Sequence, residues 1–133
     1  MNNVVQEKSF DFAVRIVNLY RYLCDEKKEY VLSKQLLRSG TSIGANVEEA
    51  LQAQSKRDFL SKANISLKEA NETLYWIRLL HAAGYTNDKQ TESITADCRE
   101  VIALLTSIVK TTKINLENEK RNEKRNGKLK MDN

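Results

Sequence analysis

Between Leu60 and Ile77, the residues Leu60, Ala63, Leu67, Ala70, Leu74 and Ile77 step by three and four in alternation. That spacing keeps one apolar seam of a long helix turned toward a neighbour. It excludes a strand, whose side chains change face at every residue. Phe59, Trp76 and Leu80 add a second apolar edge, and a helix with two such edges needs more than one neighbour. The chain of 133 residues contains no proline and only four glycines. A turn-rich β domain would need both, whereas long helices are broken by them. The length suits a single domain with one modest core.

Three further helices follow from the same periodicity. The spacing predicts a first helix over Ser9–Lys27, with Phe10, Ala13, Val17, Tyr20 and Cys24 as its buried stripe, widened by Ile16 and Leu23. Ser9 with Asp11 offers an N-cap region. A second helix is expected over Val31–Ala53, with Leu32, Leu36, Ile43, Val47, Ala50 and Leu51 on its apolar side. Gly40 and Gly44 lie one turn apart inside it and together cost about 2 kcal/mol of helix propensity relative to alanine. A continuous helix with a small-residue face that admits a close neighbour accounts for them; a kink is the alternative. Ser55, followed by Asp58, marks the start of the third helix, and Gly84 with Tyr85 its end. The fourth begins at Thr86-Asn87-Asp88 and runs to Leu116, with Ile94, Cys98, Val101, Leu105, Ile108 and Thr112 as its seam. The expected fold is all-α: an antiparallel up-down-up-down four-helix bundle over residues 1–117. Residues 118–133, with the repeated Asn-Glu-Lys-Arg, are expected to form a disordered basic tail.

The chemistry of the chain is sparse. The single histidine, His81, has Arg78 three residues before it, so the Glu-x-x-His pairs of di-iron bundles are missing. Its place near the end of the third helix suits an interaction with the terminal carbonyls. Cys24 and Cys98 read as buried thiols within apolar stripes, a disulfide between the first and last helices being the alternative. Two thiols and one histidine fall short of a zinc quartet. No catalytic, cofactor or metal constellation is evident, and neither an enzyme nor a small-molecule substrate is expected. No run is long enough to span a bilayer, and the acidic N-terminal stretch is unlike a secretory signal, which gives a cytoplasmic expectation.

Residues 1–112 hold 15 basic and 14 acidic side chains, whereas residues from Lys113 onward hold 7 basic and 4 acidic. The basic excess therefore sits in the tail. Lys34, Arg38, Lys56, Arg57 and Lys62, with Lys120, Arg121, Lys124 and Arg125, are the candidates for contact with nucleic-acid phosphates or a protein partner. Ordinary solubilising charge is the competing account. The interleaved aromatics of single-strand binders are missing. Glu48 and Glu49 beside Asn46 read as a solvated edge or a polar contact with a neighbouring helix, or else as part of a recognition surface.

The segments Arg38-Ser39, Ser42-Ile43 and Asn46-Val47-Glu48-Glu49-Ala50 resemble the 23S rRNA intervening-sequence protein family, related to the accessory variability protein of diversity-generating retroelements. Ser55-Lys56, Asp58-Phe59 and Glu69 to Trp76 extend the resemblance, which covers nearly all of residues 8–115. Arg38, Ser42, Asn46 and Glu49 occupy the family's polar places. Gly44 stands where the family often has proline, and Ala50 where glycine is common. The resemblance implies a four-helix bundle assembled as a homo-oligomer, commonly a ring-like homopentamer, with RNA or a reverse-transcriptase-like protein as a partner. The near-neutral body argues against transferring the basic relative's nucleic-acid binding outright. A non-enzymatic interaction scaffold is the first functional expectation, and a self-assembling structural protein with no nucleic-acid role the second.

Overall fold

The computed structural model describes residues 3–132. Four helices account for its regular structure and no strand occurs among the described residues: α1 (Asn3–Asp25), α2 (Leu32–Leu51), α3 (Lys56–Ala82) and α4 (Asp88–Asp132). Each helix packs on the next, and α1 also meets α4, more sparingly. The partners along α1 and α2 run in opposite order, from Gln6 beside Glu48 to Cys24 beside Ser33. Along α2 and α3 the order is Glu49 with Lys62, Ile43 with Ser66 and Ser39 with Thr73. Ala70 meets Cys98, and His81 meets Asp88, between α3 and α4.

Local signals explain the helix ends. Ser55 Oγ accepts the Asp58 amide at 3.0 Å, capping α3. Asn87 Oδ1 accepts the Gln90 amide at 2.8 Å while Gln90 Oε1 accepts the Asn87 amide at 2.9 Å, a reciprocal capping box at the head of α4. At the foot of α3, Gly84 takes φ +88°, and the amides of Gly84 and Tyr85 return to the carbonyls of His81 and Leu80. Only a residue without a Cβ adopts that backbone freely.

The start of α2 uses a device the sequence did not announce. Glu29 is buried, and its carboxylate accepts the amides of Val31, Leu32 and Ser33 at 3.1, 2.9 and 2.7 Å. Ser33 Oγ donates back to the Glu29 carbonyl at 2.9 Å. These contacts satisfy amides that an uncapped helix leaves without partners.

α2 itself is unbroken through both glycines. A Cβ on Gly40 would lie 2.8 Å from both Cγ atoms of Ile16, which is fully buried. On Gly44 it would meet the Ser9 carbonyl oxygen at 3.4 Å, an ordinary contact. The glycines thus seat α1 against α2, most tightly at Gly40.

The core contains Val5, Phe12, Ile16 and Leu23 of α1, Leu36, Ile43 and Val47 of α2, Ala70, Ile77 and Leu80 of α3, and Ile94, Cys98, Val101 and Leu105 of α4. Three expectations are corrected here. In α1 the buried stripe is not Phe10-Ala13-Val17-Tyr20-Cys24 but lies about a quarter-turn away. The helix begins at Asn3, so Val5 aligns with Phe12, Ile16 and Leu23, while Phe10 is 67% exposed. Ser9 is consequently buried within the helix instead of capping it. In α3 the buried line is Ala63, Ser66, Ala70, Thr73, Ile77 and Leu80, with Leu60, Leu67 and Leu74 only partly covered. Hydroxyls can be buried where they find partners. Ser66 Oγ donates to the Ile43 carbonyl at 2.8 Å, and Thr73 Oγ1 lies 2.9 Å from Ser39 Oγ and 2.8 Å from the Glu69 carbonyl. The single Thr73 proton satisfies both contacts when it goes to the carbonyl and Ser39 donates to Thr73.

The third correction concerns the tail. Residues 118–132, expected to be disordered, continue α4 as helix. Asn-Glu-Lys-Arg repeats contain good helix formers apart from Asn, and Glu117 lies 4.0 Å from Arg121 one turn on. Over 45 residues α4 is about 67 Å long at 1.5 Å per residue, so it outruns the bundle.

Two predictions follow from these contacts. Gly40→Ala should destabilise by about 1–3 kcal/mol, because the stiff, β-branched Ile16 cannot yield. Gly44→Ala should be neutral or stabilise by up to about 1 kcal/mol through helix propensity. Chemical denaturation of the two variants checks the opposite signs. Burial alone would raise the Glu29 pKa, but the amides of Leu32, Ser33 and Val31 outweigh it and hold it below the usual glutamate value. A lowered folded-state pKa contributes stability that is present above the unfolded-state value and lost as pH falls through the folded one. Glu29→Ala should therefore cost about 1–2 kcal/mol at neutral pH and flatten the acid limb of a stability–pH profile. An unchanged acid limb would refute the cap.

Candidate functional site

The nine candidate cations do not form one surface. Lys34 lies at the first turn of α2, at the end of the bundle where α1 stops and α4 begins. Lys56 and Arg57 open α3 at the opposite end, where α4 passes and the tail departs. Arg38 and Lys62 lie between these ends.

Most of the body's candidates are already engaged. Arg38 reaches Glu69 at 3.4 Å and Glu72 at 3.0 Å, with Glu69 mostly covered. Lys62 pairs with Glu49 at 3.4 Å, and Lys56 with Glu119 of α4. Each pair ties one helix to another, and exposed pairs of this kind contribute at most about 1 kcal/mol. They also cancel positive charge that a phosphate would otherwise meet. Lys34 and Arg57 are exposed and have no ion pair among the described residues.

The tail is different. At 3.6 residues per turn, the six cations Lys113, Lys120, Arg121, Lys124, Arg125 and Lys128 fall within an arc of about 140° of α4. Glu117 interrupts this ridge and is paired with Arg121. Glu119 and Glu123 lie on the other side, and Glu119 turns back to Lys56. Helix formation therefore sorts the charges of the Asn-Glu-Lys-Arg repeat into a basic ridge, all of it exposed. Disorder would have mixed them.

The motif residues are absorbed by the scaffold. Ser42 Oγ donates to the Arg38 carbonyl at 2.6 Å and Asn46 Nδ2 to the Ser42 carbonyl at 2.9 Å. Glu49 holds Lys62, and Glu48 accepts both Gln6 contacts at 3.0 and 2.8 Å. Glu48 and Glu49 are both exposed while each holds a polar contact with a neighbouring helix, so the solvated edge and the inter-helix contact are seen together.

A cleft of about 650 Å³ opens where α2 ends and α3 begins, against α4. Leu51, Phe59 and Ile108 form its apolar part, and Ser107, Thr111 and Asn115 its polar part. Lys56 is the one titratable residue among those lining it, and Glu119 pairs with it. The cleft thus lacks an acid–base pair or an activated nucleophile. His81 Nε2 lies 2.7 Å from Asp88 Oδ1, so it partners that carboxylate and not the terminal carbonyls expected of it. No group of three or more His, Cys, Asp or Glu suited to a metal ion occurs among the described residues. Both cysteines are free. Burial pushes the Cys98 thiol up to about 12 against the opposing charge of Arg99, and its Sγ lies 3.5 Å from the Ala70 carbonyl. No described helix is long and apolar enough to cross a membrane.

In a Cys24→Ser variant, Cys98 should resist a thiol reagent at pH 8 in the folded protein and react once denaturant unfolds it. Labelling at the same rate in both states would contradict its burial.

A family model described as 23S rRNA-intervening sequence protein matches residues 1–107. A crystal structure of a protein of unknown function from the S23 ribosomal protein family, from Bacteroides thetaiotaomicron, superposes with a TM-score of 0.80. It is 61% identical and covers 81% of this chain and 96% of its own. No protein of curated function matches the chain.

Proposed function

The chain belongs to the 23S rRNA-intervening sequence protein family, and from that membership we propose a non-enzymatic, homo-oligomeric helical-bundle scaffold that holds RNA through its protruding α4. The opposed order of partners along successive helices supports an antiparallel up-down-up-down body. Neither the family nor its solved member carries an assigned enzymatic activity. The observation that carries the RNA reading is the basic ridge from Lys113 to Lys128, held on one side of a helix that leaves a nearly neutral body. Cations one turn apart on a rigid rod can meet successive phosphates, which favours backbone contact over base reading. Arg57, exposed near the root of the tail, belongs with this ridge; Lys34, at the far end, does not.

The engagement of Arg38, Lys56 and Lys62 by acids of the same chain favours the second reading, a self-assembling structural protein that binds no nucleic acid. Truncation separates the two. Ending the chain after Glu117 leaves the buried core intact and removes five of the six ridge cations. RNA affinity, followed by fluorescence anisotropy, should fall at least tenfold. The slope of log affinity against log salt should become shallower by about 3.5, at about 0.7 per phosphate contact on single strands. Full-length protein that binds no RNA at low salt would sink the scaffold reading in favour of the structural one.

A further inference from the structure

The repeat that makes the ridge also sorts its other residues. Each residue turns an α-helix by about 100°, so a four-residue repeat gains only about 40° per copy and keeps like residues together. Between Asn118 and Lys128 the lysines, arginines, asparagines and glutamates therefore fill four successive arcs around α4, in that order. Asn118, Asn122 and Asn126 stand about one turn apart within an arc of about 80°, next to Arg121 and Arg125, and all three are exposed. Asn115 falls in the same arc and lines the cleft formed by the end of α2, the start of α3 and α4. The row thus runs from the protruding rod into a cavity of the body.

Nothing in the fold uses these amides. Asn46 and Asn71 donate to carbonyls of their own helices, and Asn87 caps α4. None of the four in the row has a side-chain hydrogen-bond partner among the described residues. Asparagine is a poorer helix former than the Lys, Arg and Glu around it, so the row weakens the helix that carries it. An amide side chain presents a donor and an acceptor side by side, which is also what the edges of nucleobases present.

We propose that α4 binds single-stranded RNA in preference to duplex, with phosphates on the Lys–Arg ridge and splayed bases lying across the asparagine row. The inference rests on the RNA reading and names the form of RNA that the rod takes. Four residues of helix rise about 6 Å, nearly twice the ~3.4 Å between nucleotides of a stacked strand. A strand that gives one nucleotide to each repeat is therefore unstacked, with its base edges open to the amides. In an A-form duplex the bases are paired and their major-groove edges lie too deep for side chains. A duplex would meet the ridge and leave the asparagines idle. The glutamates beyond the row repel phosphate and keep the backbone on the ridge side. The tail carries no stacking aromatics, so hydrogen bonding supplies the base contact.

The test is fluorescence anisotropy on the full chain with a labelled RNA dodecamer of mixed sequence, alone and annealed to its complement. Wild type should hold the single strand at least tenfold more tightly than the duplex. Asn115→Ala/Asn118→Ala/Asn122→Ala/Asn126→Ala keeps every ridge cation. Alanine is the better helix former, so the rod is kept as well, which circular dichroism checks. Single-strand affinity should fall at least tenfold, with duplex affinity and the salt slope staying as in wild type. Full-length protein that binds neither RNA at low salt would overturn both this inference and the RNA reading. Duplex held as tightly as the single strand, or a variant that keeps its single-strand affinity, would overturn this inference alone and leave a ridge that grips backbones without touching bases. An equal loss on both RNAs would do the same.

Discussion

The contact on which the rest of the bundle depends is the one between Ile16 and Gly40. The Ile16 side chain lies directly on the α2 backbone there, and even a methyl group on Gly40 would sit 2.8 Å from it. Because glycine is poor at holding a helix, α2 keeps its shape through that segment by packing and by its cap, not by propensity. The Glu29 cap at its start and the burial of Leu36, Ile43 and Val47 on its inner side supply what the glycines remove. With α1 held close on one side, α2 presents Ser39 and the Ile43 carbonyl to α3 on the other. α2 is therefore read by two neighbours in two languages: absence of side chain toward α1, hydroxyl contacts toward α3.

This division explains what could be seen in the chain beforehand. The number of helices, the Ser55 cap, the Gly84 stop and the α4 seam from Ile94 to Leu105 are local or strictly periodic features, and they stand as the residues suggested; beyond Leu105 the buried residue is Val109, with Ile108 and Thr112 partly covered. The orientation of α1 was not local. It carries two apolar stripes about a quarter-turn apart, and periodicity cannot say which faces inward. Only the approach to Gly40 and Gly44 makes that choice, turning Ile16 in and Phe10 out. In α3 a seam counted from leucines overlooks Ser66 and Thr73, since a pattern of apolar residues treats every hydroxyl as a surface residue. Glu29 was overlooked for a related reason. Its side chain caps from ahead of the first turn, not from the usual cap position, where Val31 makes no side-chain bond.

Charge was the least legible property. The sequence supplies the number of cations but not their partners, and pairing decides how much of that charge a ligand can feel. Arg38 illustrates the difference. As a sequence residue it is an exposed base one turn from Lys34; in the bundle it bridges Glu69 and Glu72 of α3 and acts as a strut. Lys56 and Lys62 have the same fate. The positive potential left to the molecule shifts from the body to α4.

The tail carries the converse lesson. Its repeat is polar and of low complexity, which on composition alone reads as disorder, and nothing in it builds a core. Composition, however, does not weigh the helix already running into it. Extending an existing helix adds a hydrogen bond per residue fixed, without the cost of nucleating a new one. The repeat places Lys and Arg four residues apart with Glu displaced to the other side, so extension also separates the charges. A coil of the same composition would average its net charge over all directions. The helix concentrates that charge along one line, and its acidic side remains free to anchor the rod through Glu119 to Lys56. The shape of α4, more than its net charge, is what makes the tail a candidate for phosphate contact.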